Sequence, residues 1–322
     1  MQWADTIFID WCVAAAVMFS MIDPGETRVI VRLHSFEAFA FWPHLVDFDR
    51  VDDLVFVSDH LRDLGLAVLP QLRSARTRVH VLSNAMDLQR FVRPKPAHAR
   101  FTLGLVGIGG VAKDPRWAIE VVRELRRTDP RYRLVLMGAE MNPEVSGSAR
   151  AYAELLAEDI DATEAVVLAG QVDDVPAALT EIGVILSASV RESFHCALVE
   201  GAASGAIPVV RDWPFFAGRT HSARSLFPQH WVVDTPKEAA ARILELTQDE
   251  DAWRTAGRDA SVTATETWDW AVIHPGYEEL VLGGAAATSD APASNPRPAS
   301  AIERMSDGDQ TRDPETVQNA AD

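Results

Sequence analysis

The sequence has little positive charge and few cysteines. Its 30 Lys and Arg residues stand against 47 Asp and Glu residues, which gives a formal net charge of −17. Nucleic-acid binding draws its affinity from Lys and Arg that neutralise phosphates, so this balance argues against a nucleic-acid partner and equally against a polybasic membrane patch. Two cysteines in 322 residues, Cys12 and Cys196, cannot form a disulfide framework. They are most simply reduced thiols in a cytoplasmic protein.

Long apolar runs are also missing. The longest apolar stretch near the start of the chain runs from Cys12 to Phe19, well below the roughly 18 residues that a transmembrane helix needs. No basic segment precedes it, as one would in a secretory signal. We therefore expect neither a transmembrane segment nor secretion.

The glycines do not form a familiar phosphate-binding motif. The segment Gly107-Ile108-Gly109-Gly110 is not a G-x-G-x-x-G sequence, and no Gly-Lys-Ser/Thr follows it. This excludes a dinucleotide fingerprint and a P-loop. The acidic motif Asp307-Gly308-Asp309 lies in a polar C-terminal stretch, and we do not expect it to bind a metal ion.

Short apolar runs alternate with amphipathic segments along most of the chain. This alternation is typical of βα units around a parallel sheet, and the length favours about two domains that join near residues 84–99. The predicted strands are Thr6–Ile9, Arg28–Leu33, 54–57, 78–82, 101–107, Arg133–Met137, 165–168, 184–186, 207–210 and 231–233. The predicted helices are 11–21, 36–44, 59–66, 115–127, 236–246, 249–263 and 268–282.

The end of the chain has a different composition. Residues 283–322 contain no aromatic residue and carry seven acidic residues against three arginines. Such a segment lacks the apolar area that would offset the entropy of ordering it. We expect a disordered acidic tail.

Residues 187–208 form the most informative stretch. A buried strand near Val184 leads into a short loop, and a helix begins near His195. A helix start directly after a strand offers free N–H groups and about half a positive charge, which suit a phosphate. Glu192 lies in the loop and Glu200 eight residues later in the helix, so both can face one ligand across the helix start. This arrangement suits a nucleotide sugar.

The same two acids carry a family resemblance. Glu192 and Glu200, with seven residues between them and GAASGAIPVV after them, resemble the E-x7-E signature of the retaining glycosyltransferases of family four, which adopt the GT-B fold. Four further stretches resemble that family in the same order along the chain. They are LSNAMDLQRF with Asn84, Asp87 and Phe91, LVGIGGVAKDPRWAIEVV with Lys113, LVLMG, and VVLAGQVDDVPAAL.

The resemblance extends over about residues 28–277 and implies an α/β fold with two Rossmann-like parallel-sheet domains, the first of them incomplete. It implies a partial acceptor-side domain over residues 1–92 and a nucleotide-sugar-binding domain over residues 93–267. Residues 268–282 would form a helix that crosses back to the first domain. In the first domain an incomplete sheet is expected to expose a strand edge and apolar surface.

The resemblance also implies roles for individual residues. Glu200 would bind the ribose, Glu192 would act as a catalytic residue that holds the transferred sugar near its reacting carbon, and Lys113 would neutralise the leaving diphosphate. The diphosphate would face the start of the helix, at His195, Cys196, Ala197 and Leu198. Relatives commonly carry an Arg where this chain has Ile108, so one cation would remain for the diphosphate instead of two.

The first domain would supply the acceptor side. His34, at the end of the strand Arg28–Leu33, occupies a strand C-terminus where α/β sheets place ligands, and the resemblance implies a catalytic residue that faces the sugar. The family needs no cofactor and ordinarily no divalent ion. The implied partners are a nucleoside-diphosphate sugar and an acceptor whose identity the sequence leaves open.

Plainer interpretations exist for the same residues. Glu192, Glu200 and Lys113 can be solvated surface charges, His34 and His195 can be hydrogen-bonded structural histidines, and Cys12 and Cys196 can serve packing alone. For the whole chain, the alternatives to a retaining glycosyltransferase are a catalytically inactive nucleotide-sugar-binding module and, less favoured, a UDP-sugar epimerase of the same fold. Turnover of a donor sugar separates the enzyme from the module.

Overall fold

The computed structural model describes residues 3–283, and these fold around two parallel sheets. The predicted tail, 283–322, lies outside the described residues apart from Gly283, and so does Asp307-Gly308-Asp309. The strands of the first sheet are β1 (Thr6–Ile9), β2 (Arg28–Leu33), β3 (Asp53–Phe56) and β4 (Arg78–Val81). Those of the second are β5 (Thr102–Val106), β6 (Arg133–Met137), β7 (Val166–Gly170), β8 (Val184–Ser187), β9 (Ile207–Arg211) and β10 (Val232–Val233).

The first sheet has the strand order β1-β2-β3-β4, and every neighbouring pair is parallel. Among the described residues β1 pairs only with β2, so it forms one edge of this sheet. Several large apolar side chains of this half of the chain are exposed, among them Trp3, Met18 and Phe36. The domain division at residue 92 stays a prediction, and one continuous apolar core joins the two halves.

The second sheet has the order β10-β9-β8-β5-β6-β7 and is also parallel throughout. From β5 the chain first extends the sheet through β6 and β7, and then returns to the other side of β5 with β8. The order therefore reverses between β5 and β8. In open parallel sheets such a switch point leaves a crevice at the carboxyl ends of the strands, where ligands bind.

Twelve α-helices lie among the described residues. They are α1 (Ala14–Ser20), α2 (Ser35–Ala38), α3 (Trp42–Leu45), α4 (Asp59–Val68), α5 (Pro115–Arg126), α6 (Gly147–Asp161), α7 (Val175–Ala178), α8 (Cys196–Ala203), α9 (Ala223–Leu226), α10 (Pro236–Thr247), α11 (Glu250–Trp268) and α12 (Trp270–Leu282). The order of strands and helices confirms the predicted α/β class with two parallel sheets. None of these helices, within residues 3–283, has the length and apolar character that crossing a bilayer requires.

Several parts of the predicted helix pattern were wrong. The short helices α7 and α9 were not predicted, and the helix expected over 249–263 extends to Trp268 as α11. The single helix expected over 36–44 is two short helices, α2 and α3. Pro43 explains the break, because proline lacks an N–H and fits the first turn of a helix better than its interior. The helix α6 was not predicted; it begins after Ser146, whose hydroxyl accepts a hydrogen bond from the Ala149 amide, and few of its residues are buried.

The helix α12 packs against the first sheet. Leu280 forms a small apolar cluster with Ile30 of β2 and Val55 of β3. The Tyr277 hydroxyl accepts a hydrogen bond from Arg32 at 3.1 Å and lies 3.1 Å from the Leu82 carbonyl oxygen, to which it donates. The last described helix is thereby fixed to the strands of the opposite half of the chain.

A buried carboxylate joins three strands of the first sheet. Asp53, at the start of β3, has no exposed surface and accepts hydrogen bonds from Arg28, Arg78 and His80. Arg28 also donates to the carbonyl oxygen of Leu280 in α12. Burial by itself would raise the pKa of Asp53, but the hydrogen bonds from His80, Arg78 and Arg28 outweigh it and hold the pKa well below its usual range.

Replacement of Asp53 by Asn is expected to lower the free energy of unfolding at pH 7 by about 3 kcal/mol, because it removes the negative partner of a buried ionic cluster. Since the pKa of Asp53 is lower in the folded state, this stabilisation is present above about pH 4 and is lost as the pH falls. Urea denaturation measures the difference. The exposed Asp259→Asn is the matched control, and equal stability of the two variants would contradict the assignment.

Candidate functional site

The loops after β5 and β8 meet at the switch point of the second sheet. The β5 loop carries Lys113, and the β8 loop carries Glu192. The Val190 amide donates a hydrogen bond to the Ala112 carbonyl oxygen at 2.8 Å, so the two loops are joined through their backbones. The residues that the sequence singled out in two separate segments therefore lie at one edge of the sheet.

Lys113 and Glu192 form an ion pair across this crevice. Lys113 Nζ lies 2.5 Å from Glu192 Oε1, and the Ser189 hydroxyl donates to the same oxygen at 2.7 Å. Glu192 is buried, whereas about a third of the Lys113 side chain is exposed. Burial raises the pKa of Glu192, but the neighbouring His195 and Lys113 and the Ser189 hydroxyl outweigh it, so that its pKa lies below the ordinary value. The pair presents a fixed carboxylate and a reachable ammonium group.

His195 sets the start of α8. It is a non-glycine residue in the left-handed region, with φ 76° and ψ 67°, a conformation of higher energy for an L-residue. Its Nδ1 lies 2.6 Å from the Ser187 hydroxyl, which also accepts a hydrogen bond from Trp213 Nε1 at 3.2 Å. Burial lowers the pKa of His195 to about 4, so the imidazole is neutral near pH 7. Side-chain contacts thus hold the strained backbone in place.

The first turn of α8 faces the same crevice. An α-helix leaves its first backbone N–H groups without intrahelical partners. In α8 these are the amides of Cys196, which also lies within reach of its own thiol, and of Ala197, which donates to no backbone oxygen of the described residues. The Leu198 amide instead donates to the His195 carbonyl oxygen at 3.1 Å, and the Leu198 side chain lies in the core. The free amides and the helix dipole give this point a partial positive charge.

Glu200 lies one turn further along α8. It is half-buried, and its carboxylate forms no hydrogen bond or ion pair with any described residue. Burial raises its pKa, against the opposing charge of Arg90. The nearby Cys196 thiol accepts a hydrogen bond from Asn84 at 3.4 Å, and burial raises its pKa. Within the described residues Glu200 is therefore a carboxylate without a partner, three residues past Ala197 and about one turn from the helix start.

A second strained residue follows Lys113. Asp114 has φ 43° and ψ 58° and precedes the first turn of α5. The Tyr152 hydroxyl donates to its carboxylate at 2.7 Å, and Arg211 at 2.6 Å. Strained residues in sparsely populated backbone regions cluster at functional sites, and here one flanks each member of the Lys113 and Glu192 pair.

The first half of the chain holds the Glu192 loop. His60 Nε2 lies 3.0 Å from the Glu192 carbonyl oxygen, and the Ser58 hydroxyl donates to the Ser193 carbonyl oxygen at 2.8 Å. The Ser35 amide donates to the Ser193 hydroxyl at 3.2 Å. Burial lowers the pKa of His60 to about 4, so its ring is neutral and Nε2 carries the hydrogen that the carbonyl accepts. No sequence motif indicated these three residues.

His34 lies at the C-terminal end of β2, next to Ser35, but its ring is largely covered. It is buried, stacks on Trp11 with 4.4 Å between ring centres, and has Nδ1 3.6 Å from Glu37 Oε1. Within the described residues it forms no hydrogen bond with Lys113, Glu192 or Glu200. The structure therefore brings Lys113, Glu192 and His195 together with the start of α8, whereas the role of His34 stays a prediction.

The crevice contains no evident metal site. Across residues 3–283, no three His, Cys, Asp or Glu side chains are grouped so that they could hold a metal ion. The positive groups at the site are Lys113 and the first amides of α8. Metal independence, which the resemblance implies, stays a prediction.

Comparison with known proteins identifies the second half of the chain. Residues 100–249 match the family model of the glycosyl transferases group 1, so this segment is similar to that family. It contains Lys113, Glu192 and Glu200. The predicted resemblance is thereby confirmed for the part of the chain that carries the crevice. Comparison with curated protein sequences yields no match.

Solved structures share the fold at low sequence identity. HepE from Anabaena in complex with UDP-glucose superposes with a TM-score of 0.65 at 16% identity, over 86% of this chain and 78% of HepE. Sucrose-phosphate synthase from Thermosynechococcus elongatus has a TM-score of 0.61 at 17% identity, over 86% and 72% of the two chains. For TarM of S. aureus the TM-score is 0.63 at 13% identity, over 86% of this chain and 54% of TarM. The GT-B fold is confirmed, and the chain spans about half the length of TarM.

The buried histidine that holds the Glu192 loop generates a stability prediction. The folded-state pKa of His60, about 4, lies below the ordinary 6.5. As the pH falls, His60 is therefore protonated in the unfolded chain before it is protonated in the folded protein. Stability is therefore complete above about pH 6.5 and falls as the pH approaches 4, by about 3 kcal/mol for this residue. Urea denaturation between pH 7 and pH 4 should give a shallower decline for His60→Gln than for the wild type.

The exposed His44→Gln serves as the matched control and should follow the wild-type slope. A His60→Gln slope as steep as that of the wild type would show that His60 is not held neutral in the folded protein.

Proposed function

We propose that this chain is a retaining glycosyltransferase that moves a sugar from a nucleoside-diphosphate donor to an acceptor hydroxyl. The observation that supports it most strongly is the pairing of Lys113 with buried Glu192 beside the free amides of α8, at the switch point of the sheet in the segment that is similar to the glycosyl transferases group 1. A carboxylate, an ammonium group and a helix start thus lie next to one another. The three groups match the sugar and the diphosphate of one activated donor.

The diphosphate would lie at the start of α8. The amides of Cys196 and Ala197 would donate to its oxygens, and the helix dipole favours a negative charge at this point. Lys113 would neutralise the charge that develops on the leaving diphosphate. Fixed donors and cations aimed at developing charge supply much of the rate enhancement in such reactions, without a divalent ion.

Glu200 would bind the ribose of the donor. Two vicinal hydroxyls can both donate to one carboxylate, and Glu200 has no protein partner that would compete. Its half-buried position strengthens such hydrogen bonds relative to those on an open surface. The distance along α8 from the free amides to Glu200 is about one turn, which suits a nucleoside that continues from the diphosphate.

Glu192 would hold the transferred sugar through its hydroxyls, with its carboxylate kept ionised by Lys113. For retention, the acceptor oxygen would attack from the face that the diphosphate leaves. The bond from the sugar carbon to the diphosphate oxygen breaks, the bond to the acceptor oxygen forms, and the acceptor proton passes to a diphosphate oxygen. The acceptor would approach from the first sheet, where the resemblance places His34.

Uracil is the first base to test in the nucleotide of the donor. Structures of HepE and of TarM are complexes with UDP, and HepE has also been solved with UDP-glucose. These ligands belong to those proteins, and they make UDP-sugars the first donors to try with this chain. The donor sugar, the acceptor and the oligomeric state stay open, and a cytoplasmic location stays a prediction.

Glu200→Ala is expected to weaken the affinity for UDP by about tenfold to a hundredfold, since it removes hydrogen bonds to a charged group. Isothermal titration calorimetry with UDP, GDP and ADP measures the affinities. Glu154→Ala is the matched control, because Glu154 is an exposed helical acid of the same domain. If none of the three nucleotides binds, or if Glu200→Ala binds as the wild type does, the donor site lies elsewhere.

Lys113→Ala is expected to lower the rate of donor turnover by about a hundredfold, which corresponds to about 3 kcal/mol of lost charge stabilisation. Its affinity for the uncharged nucleoside uridine should change little. Turnover is followed as UDP release from UDP-glucose, with transfer to an acceptor or to water. Nucleotide binding without any turnover by the wild type would favour the inactive binding module, and interconversion of UDP-sugars would favour the epimerase.

A further inference from the structure

A cavity of about 270 Å³ lies at the C-terminal end of α8. Its walls come from the connection between the two sheets, from the C-terminal end of α8 and from α11. The start of α8, where the diphosphate is proposed to bind, is at the opposite end of the helix, about 12 Å away for eight residues. The cavity is therefore separate from the candidate donor site.

The wall of this cavity is strongly positive for so acidic a chain. Four of the residues that line it are cations, Arg93, Lys95, Arg254 and Arg258, and none is an acid. The chain as a whole carries 47 acids against 30 basic residues. Arg93 and Arg254 have acidic partners outside this wall, whereas Lys95 and Arg258 form no ion pair with a described residue, and these two cations favour an anion in the cavity.

Three acids close to these cations already form ion pairs. Glu250 lies 2.6 Å from Arg254, and Asp174 lies 4.0 Å from Arg93. The third, Glu181, is bound to His98 at 2.7 Å. Arg258 is exposed and forms no ion pair within residues 3–283, so its guanidinium group keeps donors for a ligand.

Lys95 is the unusual member of the wall. It is buried and donates hydrogen bonds to the Leu179 carbonyl oxygen and, at 2.9 Å, to the Ser204 hydroxyl. These use two of its three N–H donors, and no carboxylate of the described residues forms an ion pair with it. Burial lowers its pKa to about 7, with a small opposing effect of Glu181. An anion in the cavity would supply the missing negative charge.

The remaining lining is largely apolar. Val92 and Pro94 contribute apolar surface, whereas Trp253 is almost fully buried behind the cavity and is fixed by a hydrogen bond from Nε1 to the Gly183 carbonyl oxygen at 3.1 Å. A free inorganic ion would leave this surface uncovered. The volume lies just below the range of ordinary small-molecule pockets, so the cavity suits a compact ligand.

We propose that this cavity is a second ligand site, which binds a small phosphorylated molecule through Arg258, Lys95 and the neighbouring arginines and holds its apolar part against Val92 and Pro94. Guanidinium groups match the geometry of phosphate oxygens and can bind two at once. The site does not depend on the proposed glycosyltransferase activity.

The test uses phenyl phosphate as the probe, in calorimetric titrations of the full chain without nucleotide. The wild type should bind it about tenfold more tightly than inorganic phosphate, because of the apolar wall. Arg258→Gln should weaken phenyl phosphate binding by about tenfold or more, since a hydrogen bond to a charged group is lost. Arg150→Gln is the matched control, an exposed arginine without an ion pair among the described residues, and should bind as the wild type does.

The candidate donor site is tested in the same experiment. Lys113→Ala should leave phenyl phosphate binding unchanged if the probe occupies the cavity. Loss of binding in Lys113→Ala with retention in Arg258→Gln would place the probe at the donor site and overturn the proposal. Failure of the wild type to bind phenyl phosphate at millimolar concentration would overturn it as well.

Lys95 supplies a further readout. Phenyl sulfate keeps a constant charge, so its affinity should fall between pH 6 and pH 8.5 as Lys95 loses its proton, and Lys95→Met should abolish this dependence. The other charged groups near Lys95 are Arg93, Arg254 and Arg258 in the cavity wall, and Glu181. Because His98 pairs with Glu181, the substitution His98→Gln is introduced into both the wild-type protein and the Lys95→Met variant for this experiment. An affinity for phenyl sulfate that does not change with pH would contradict the role of Lys95.

Discussion

The contact between Lys113 and Glu192 is the constraint on which the candidate site depends. A carboxylate as buried as Glu192 is stable only with a cation or several hydrogen-bond donors close by, and the cation comes from a different loop. The pair therefore fixes the β5 loop against the β8 loop. Because these loops leave neighbouring strands on either side of the switch point, the ion pair also fixes the mouth of the crevice between them.

Two strained residues follow from this constraint. Asp114 adopts the left-handed conformation between Lys113 and the start of α5, which lets Lys113 reach Glu192 directly before the helix begins. His195 adopts the same conformation between Glu192 and α8. Such conformations cost on the order of 1 to 3 kcal/mol each. The hydrogen bonds of Tyr152 and Arg211 to Asp114, and that between His195 and Ser187, offset this cost. Contacts within the protein therefore hold both strained residues of the site in place.

The sequence predicted the framework better than the site. Strands such as β2 and β6 were predicted with their observed bounds, because a strand buried on both faces is a short apolar run between polar ends. Helix α6 escaped because few of its residues are buried, so its apolar stripe is weak. The pairing of Lys113 with Glu192 joins residues 79 positions apart, and the contacts of Ser35, Ser58 and His60 span more than 130. Local periodicity contains no information about contacts between residues so far apart in the sequence. The left-handed conformation at His195 was not predicted either, because the residue is not the glycine that usually marks such a conformation.

The contacts from the first half of the chain would be affected by any movement of the two sheets relative to each other. The carbonyl oxygens of Glu192 and Ser193 accept hydrogen bonds from His60 and Ser58, so the backbone of the β8 loop is shared between the two sheets. A hinge opening between the sheets would break these bonds and free the Glu192 backbone, while the ion pair to Lys113 lies wholly within the second half of the chain. The position of the carboxylate and the position of its backbone are thus controlled by different elements. If the two sheets close on each other, the backbone contacts would orient Glu192, while its charge environment is already set by Lys113.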